Sequence, residues 1–531
     1  MYYNGFFKKD FFFALFLMLS FPLCLPATAS NNFSSAKFKV ALELKYEAEN
    51  SIYKFFLNRG FTPFWITNQE RVSSLLRAID LSDEHGLPRS RYSEKQIKKE
   101  YKELKYYQIE IRATETLLKL ISDLYSGVVD PEILDDKINV KASKIDHDFI
   151  LDQLETNLEI DKFIYSFAPK LPEYKNLMLE KRRLEGVIAE NGWGGVVPEG
   201  KFLGFNLVHP NVKILRSRLN KMGYLAHDTG SERYDAELRS SVQLFQADFG
   251  LNDDGVAGEY TLQAINISPQ TRLIQTIVNL ERMRWSRFPK RSKYILVNQP
   301  NFHAYFFEEG EIVWQSRIVI GLPDHQTVEF NDTMTHMIIN PTWHVPRSIS
   351  IEEYLPIIQE DPNFLVDNEM VLLVRGTDTK IDPSLIDMSK FESNNFPFEI
   401  KQLPSNVNAL GVVKFMFPNK HNIYMHDTPM KELFFKDERT FSHGCVRLQD
   451  PFQFAYQLLK SQVSSPEVTF QSLLSTKRET QINLKDAIPV NITYRTVFFD
   501  NYGQPQYRAD IYGRDALLFM ALQDAGLNKI M

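Results

Sequence analysis

From Ala41 to Ile188 the apolar residues recur three and four positions apart, as in "RVSSLLRAIDLSDEHGL" and "ETLLKLISDLYSG". After Lys293 they alternate instead, as in "KYILVNQPNFHAYFFEEGEIVWQSRIVIG". A helix of period 3.6 buries a stripe and a strand of period two buries one face, so the two patterns cannot share one core. The chain is therefore read as a multidomain α+β protein, helical first and mainly β in its last third. Gly86 and Gly127 stand where helices end. Glu309-Gly310 is a hairpin turn, "THMIINPTWHVP" a strand stopped by proline, and "VVKFMFPNKHNIYMHDT" two strands around Pro418-Asn419. Asp450 is placed to cap a helix that has Pro451 in its first position and Phe452, Ala455, Tyr456 and Leu459 on one face.

Between the two patterns lies a compact unit. Val212, Leu215 and Leu219 line one helix that Gly223 can end, and Leu238, Val242 and Phe245 line a second that Gly250 can end. Asp254-Gly255 then turns the chain into a third. The preceding stretch "NGWGGVVPEG", Asn191 to Gly200, lacks the P-loop lysine and any G-x-G-x-x-G, and reads as a boundary rather than a phosphate cradle.

With 531 residues, 44% of them hydrophobic, the chain can fill several cores, at about 150 residues per domain. A net charge of -6 with interspersed signs gives no basic field for phosphates, which excludes nucleic acid as a partner class. Lys8 and Lys9 precede the apolar run "FFFALFLMLSFPLCLP", and Ala27-Thr28-Ala29 supplies a cleavage site after Ala29. The run is short for a span of about 20 residues and is interrupted by Pro22 and Pro26, so it reads as a signal peptide that leaves no integral span behind. Cys24 follows Phe21-Pro22-Leu23, without the small residues that precede a lipidated cysteine. Once that segment is removed Cys445 is the one remaining thiol and has no internal disulfide partner.

Cys445 sits in "TFSHGCVRLQDP", between strands and just ahead of a helix. Buried, inert cysteines are the commoner kind, and that reading stays open at this point. A free thiol has a pKa of about 8.5, so a nucleophilic one needs a base or a cation beside it. His443, two residues away, has too little chain between to bring its imidazole onto the sulfur, whereas His426 at the end of "NIYMHDT" can reach it from a neighbouring strand. A carbonyl at Asp427 can hold the second imidazole nitrogen, and N–H groups around His443, Gly444 and Cys445 can receive an oxyanion. His303, His325, His336 and His344 show no metal-ligand spacing.

"H-D-T" followed by "S-H-G-C-V-R" resembles the signature of the L,D-transpeptidases. The blocks "NLERMRW", "NPTWHVP", "NALGVVKFMFPN", "IYMHDTP" and "SHGCVRL" resemble, in order, those of the large Gram-negative enzymes of the YcbB type, and the three-helix unit resembles a peptidoglycan-binding domain. The resemblance implies a YkuD-like catalytic domain at 291–485 with a capping insertion at about 346–408 and a C-terminal extension at 486–531. It implies a helical scaffold at 30–205 and 269–290, a peptidoglycan-binding domain at 206–268, and a signal peptide at 1–29. By the same resemblance Cys445 is the nucleophile, His426 the base and the Asp427 carbonyl its orienting acceptor. Ser442, His443 and Gly444 then shape the loop, and Tyr424, Trp343 and Arg447 contact substrate. From the residues alone Trp343 is better read as a core aromatic and Tyr424 can be one too, and Arg447 is as well read as a loop-anchoring ion pair.

The implied reaction joins peptidoglycan stem peptides by 3→3 cross-links through a cysteine acyl-enzyme in the periplasm, without metal or organic cofactor and alongside wall-synthesis proteins. Two other readings use the same residues: an L,D-carboxypeptidase with water as acceptor, and a noncatalytic wall-binding protein. The chain departs from the family pattern at Gln402-Leu403-Pro404-Ser405 and at Thr327-Val328, where a T-P pair is usual. Neither departure is expected to touch the Cys-His pair.

Overall fold

The computed structural model describes residues 33–157, 159–285 and 292–528; the signal-peptide segment, with Cys24, lies outside the described residues. The chain divides into two compact units. One is built from described residues up to 80 together with 92–120 and 146–166, the other from 81–91, 121–145 and 167 onward.

The first unit is helical, as its periodicity dictates, with Ser51–Asn58, Glu94–Lys102 and His147–Leu154 among its helices. The buried Glu110 carboxylate accepts the N–H groups of Phe64, Trp65 and Ile66 at 2.8, 3.0 and 2.9 Å, which fixes an aromatic turn that would otherwise leave three donors without partners.

The second unit holds the sheets. Strands β1 (Ile138–Asn139), β2 (Lys293–Asn298), β3 (His303–Glu308), β4 (Glu311–Gly321) and β5 (Glu329–Ile339) begin the larger one. A separate four-stranded sheet consists of β6 (Trp343–His344), β7 (Met370–Val374), β8 (Lys380–Ile381) and β9 (Phe398–Gln402). The larger sheet resumes with β10 (Val413–Met416), β11 (Met425–His426), β12 (Thr440–Ser442), β13 (Val446–Leu448) and β14 (Thr480–Thr493). Its order runs β5-β10-β11-β13-β4-β3-β2-β14, and β14 also pairs β5, so these strands close on themselves and leave no free edge along that ring. Val413, Phe415, Met425, Val446 and Leu448 point into the core that the ring encloses. The alternate residues Lys414, His426, Cys445 and Arg447 therefore fall on the opposite face.

The hairpin turn is found where it was read: Glu309 and Gly310 both have positive φ, 50° and 90°, as a two-residue turn requires. Gly223 closes the helix Pro210–Met222 in the left-handed region, and Asp450 caps the helix Pro451–Leu459 by accepting from Gln453 N. That helix buries Phe454, Ala455, Leu458 and Leu459, so its inner face is centred one residue away from Tyr456.

Four expectations change. "THMIINPTWHVP" is two strands in two different sheets, because Asn340 at φ 50° and Pro341 break the ladder between β5 and β6. The boundary at 485 falls inside β14, whose second half pairs β2, so the catalytic sheet runs on to Thr493. The helices Pro172–Ala189 and Pro269–Trp285 belong with the sheets rather than with the first unit. The second of these is buried on all sides, with even Glu281, Arg282 and Arg284 enclosed and Arg284 paired to Glu281 at 2.6 Å. The three-helix module begins before 206: Leu203 is fully buried and bridges Ala257. It also docks on the C-terminal hairpin, where Arg508 donates to Asp248 O at 2.7 Å and Gln506 to the Asp248 carboxylate at 3.0 Å.

The insertion between β5 and β10 has its own core, including Leu355, Ile358, Leu365, Leu372, Phe396 and Ile400. Its exit is tied down by two buried amides. Gln402, which opens the stretch that departs from the family pattern, donates to Asn368 O and Val407 O and accepts from Ala409 N. Asn408 donates to the carbonyls of Pro341, Gln402 and Leu403.

Candidate active site

β11 runs parallel to β13 with His426 in register with Arg447, and antiparallel to β10 with His426 opposite Lys414. One row across three strands thus carries Lys414, His426 and Arg447, and Cys445 precedes Arg447 on the same face. Val446 N donates to Tyr424 O at 3.0 Å, which holds the thiol's strand to the histidine's.

The nucleophile loop is fixed from two sides. Ser442 Oγ donates to Cys445 O at 2.6 Å and accepts from Gly444 N at 3.2 Å. Gly444 has φ 106°, a conformation that side chains resist. Its carbonyl accepts from Thr327 Oγ1 at 2.9 Å, and the same hydroxyl accepts from Gly321 N at 3.0 Å. Thr327 touches neither Cys445 nor His426, but it holds the residue next to Cys445. Arg514 in turn donates to Thr327 O and Gln326 Oε1, so the C-terminal segment braces the loop. Because the Gly444 N–H is taken by Ser442, it drops out of the expected oxyanion donors.

His426 is buried and its Nδ1 lies 2.5 Å from Asp427 O. A carbonyl can only accept, so Nδ1 carries the proton and Nε2 is left as the base. Burial, then the nearby Arg447, lower its pKa to about 3. The Asp427 carboxylate faces elsewhere, accepting from Lys431 Nζ at 2.6 Å and Val412 N at 3.0 Å. It fits there because Gly411, at φ 60°, has no Cβ; one would stand 2.2 Å from Asp427 Oδ2.

Cys445 is half-buried, its Sγ 3.7 Å from Asn422 O. Burial pushes its pKa up to about 11, against the opposing pull of Tyr424, Arg447 and Lys414. Thiol and imidazole are thus both neutral at pH 7, and the pair is no preformed thiolate-imidazolium. Tyr424 lies close enough to the sulfur to oppose the rise in the thiol's pKa, and Trp343 stands beside the Tyr424 hydroxyl. Trp343 also packs edge-on to Tyr354 at 6.1 Å in the cap core, so its two readings, core aromatic and site residue, describe one side chain.

Arg447 makes no ion pair among the described residues; its nearest polar contact is Met430 Sδ at 3.6 Å, and its Nε is buried without a partner. The loop-anchoring ion pair is absent there, and the guanidinium fork is free to take an anion. His443 points outward, Nε2 2.6 Å from Glu353 Oε1 of the cap and its ring 4.8 Å from that of His325. Cap and sheet enclose a cavity of about 840 Å³ whose walls include Trp343, Glu353, Tyr354, His426, Cys445 and Arg447. Lys414 was missed by sequence reasoning. Its ammonium lies 6.0 Å from the centre of the Tyr424 ring, has no ion pair among the described residues, and has its pKa lowered by burial. The signal available was its place two residues inside "VVKFMF", on the polar side of the alternation.

No group of three or more His, Cys, Asp or Glu side chains suited to a metal is present among the described residues. No helix among them is long and apolar enough to cross a membrane.

Three family models match separate stretches: an L,D-transpeptidase catalytic domain (YkuD) at residues 292–469, a scaffold domain at 50–180, and a "Putative peptidoglycan binding domain" at 208–265. A curated "Putative L,D-transpeptidase" of Haemophilus influenzae is 30% identical over 258 residues, 48% of this chain and 51% of that protein. The chain thus spans about half the length of the curated relative it matches. Among solved structures, an L,D-transpeptidase of Xylanimonas cellulosilytica is 12% identical at a TM-score of 0.17, covering 56% of this chain and 99% of its own. One of Stackebrandtia nassauensis is 13% identical at 0.21, covering 56% and 95%. The family models, rather than these low scores, carry the assignment.

Proposed function

Because residues 292–469 match the YkuD L,D-transpeptidase catalytic domain, we propose that Cys445 takes an acyl group from a peptidoglycan tetrapeptide stem and passes it to the side-chain amine of a second stem, giving a 3→3 cross-link. Sγ attacks the carbonyl of the third residue while His426 Nε2 takes the thiol proton. The oxyanion is received by the N–H groups around Cys445, without Gly444. The tetrahedral intermediate collapses as His426 returns the proton to the leaving D-alanine amine, and a thioester remains. The acceptor amine attacks that thioester, His426 removes its proton, and Cys445 leaves as the thiol. Tyr424 offers its hydroxyl hydrogen to the sulfur as charge gathers there, and Arg447 takes a substrate carboxylate.

The observation that carries this reading is the half-buried thiol lining one cavity with a buried imidazole whose second nitrogen is locked to a carbonyl. Domains that match ones acting on and binding peptidoglycan accord with an extracytoplasmic, wall-associated protein; the signal segment supports export, and the resemblance to Gram-negative enzymes supports the periplasm as its place. The test is incubation of the purified protein with a disaccharide tetrapeptide. Cross-linked dimers that vanish in Cys445→Ala are expected. Trimmed tripeptides alone identify an L,D-carboxypeptidase, and unchanged substrate leaves a wall-binding protein without catalysis.

A further inference from the structure

Behind the cap strand β6 lies a second cavity, of about 300 Å³, lined by Arg347, Arg375, Glu399 and Lys401. His344 and Pro346 line both it and the catalytic cavity, so the segment 344–346 is a wall common to the two. That volume is ample room for a carboxylate and the chain bearing it.

Three cations meet there with little to neutralise them. Arg347 is held rigidly: its NH1 donates to Phe398 O at 3.1 Å and its NH2 to Phe396 O at 2.6 Å. Both acceptors are carbonyls, so neither cancels its charge. Burial and then the nearby Arg375 disfavour the charge on Arg347, and Glu399 offsets them in part. Lys401 reaches Asp378 at 3.7 Å, but that carboxylate is fully exposed, and such a contact contributes little. Glu399 is the one carboxylate of the lining, and it accepts from Gly376 N at 3.3 Å. Two guanidinium groups and an ammonium against one carboxylate in the lining of a cavity of this size make a place for an added anion.

We propose that this cleft is a second substrate subsite, which binds a backbone or side-chain carboxylate of a peptidoglycan stem whose reacting part occupies the catalytic cavity. The proposal rests on the transpeptidase reading given above. Its recognition element is Arg375, whose exposed guanidinium can form a paired contact with an anion, while Arg347 supplies the fixed charge beneath it.

The experiment compares the parent with Arg375→Glu and Arg375→Lys on two tetrapeptides, one with its free carboxylates and one with the non-terminal carboxylates converted to carboxamides. Iodoacetamide alkylation of Cys445 serves as the control for an intact site. Arg375→Glu is expected to raise KM for the acidic peptide about tenfold, the loss of one charge-assisted contact, and to leave kcat and the alkylation rate within twofold. It should not change KM for the carboxamide peptide, and Arg375→Lys should restore part of the difference. Equal KM values for parent and Arg375→Glu on the acidic peptide overturn the cleft and leave the transpeptidase reading standing. A parent that cross-links neither peptide overturns that reading, and binding of the acidic peptide to Cys445→Ala then decides the cleft: binding weakened by Arg375→Glu supports it, and binding unchanged or absent ends it.

Discussion

His443 Nε2 lies 2.6 Å from Glu353 Oε1, which joins the loop carrying the nucleophile to the insertion that covers it. The bond links a position two residues from Cys445 to one ninety residues earlier in the chain, and both residues line the same cavity. Half-exposed pairs of this kind contribute up to about 1 kcal/mol, or about fivefold in an equilibrium. Glu353→Ala should therefore raise KM for a tetrapeptide about fivefold, by loosening the cap, while iodoacetamide alkylation of Cys445 stays near the parental rate. A large fall in alkylation would instead mean that the pair shapes the thiol's own loop.

The protonation states of the central pair lead to a distinct pH profile. With the Cys445 pKa raised to about 11, alkylation should climb roughly tenfold per pH unit from neutrality and level off only near pH 11. A plateau near pH 7 would reveal a preformed thiolate. His426 has a folded pKa of about 3, below its ordinary 6.5, so the unfolded chain binds the extra proton in the window between them. Its contribution to stability is complete above pH 6.5 and is lost as pH falls toward 3. Thermal melts of the parent and His426→Gln should accordingly converge on acidification. His426→Ala should slow acylation by about 100- to 10,000-fold, the range for loss of a general base.

Lys414 lowers the pKa of Cys445 through space, and it lies against the ring of the tyrosine that reaches the sulfur. Lys414→Met should therefore move the alkylation profile to higher pH, and Lys414→Arg should move it back. A lysine that merely packs would change the melting temperature but leave the profile in place.

Thr327 is fully buried and serves both Gly444 O and Gly321 N with one hydroxyl. Thr327→Val keeps the shape and strands both backbone groups, at a cost of about 2 to 3 kcal/mol. Urea denaturation should show that loss, together with slower alkylation as the Gly444 turn relaxes. Unchanged stability would mean that other groups satisfy those two positions.

Arg447→Lys retains the charge but not the fork. If the guanidinium takes a substrate carboxylate, cross-linking should fall by an order of magnitude or so, while alkylation of Cys445 persists. Parallel loss of both would assign Arg447 to the integrity of the loop.

Much of this protein is written in local order. The switch from period 3.6 to period two near Lys293, the turn at Glu309-Gly310, the cap at Asp450 and the glycines that end the module's helices each follow from interactions within a few residues. Such interactions act on the chain wherever it lies. The spacing of "H-D-T" and "S-H-G-C-V-R" likewise carries Cys445 and His426, because a short motif on adjacent strands keeps its geometry. Tertiary structure alone decided what lies far apart along the chain. The closure of β14 on β5 and Thr327 beneath Gly444 are contacts across more than 100 residues and Glu353 against His443 across 90, while Lys414 beside Tyr424, ten residues on, is set by the pairing of β10 with β11; no local periodicity encodes them. The protonation of the central pair belongs to the same class. A thiol pushed up to about 11 and an imidazole lowered to about 3 are consequences of burial, which exists only once the cap and sheet have enclosed them.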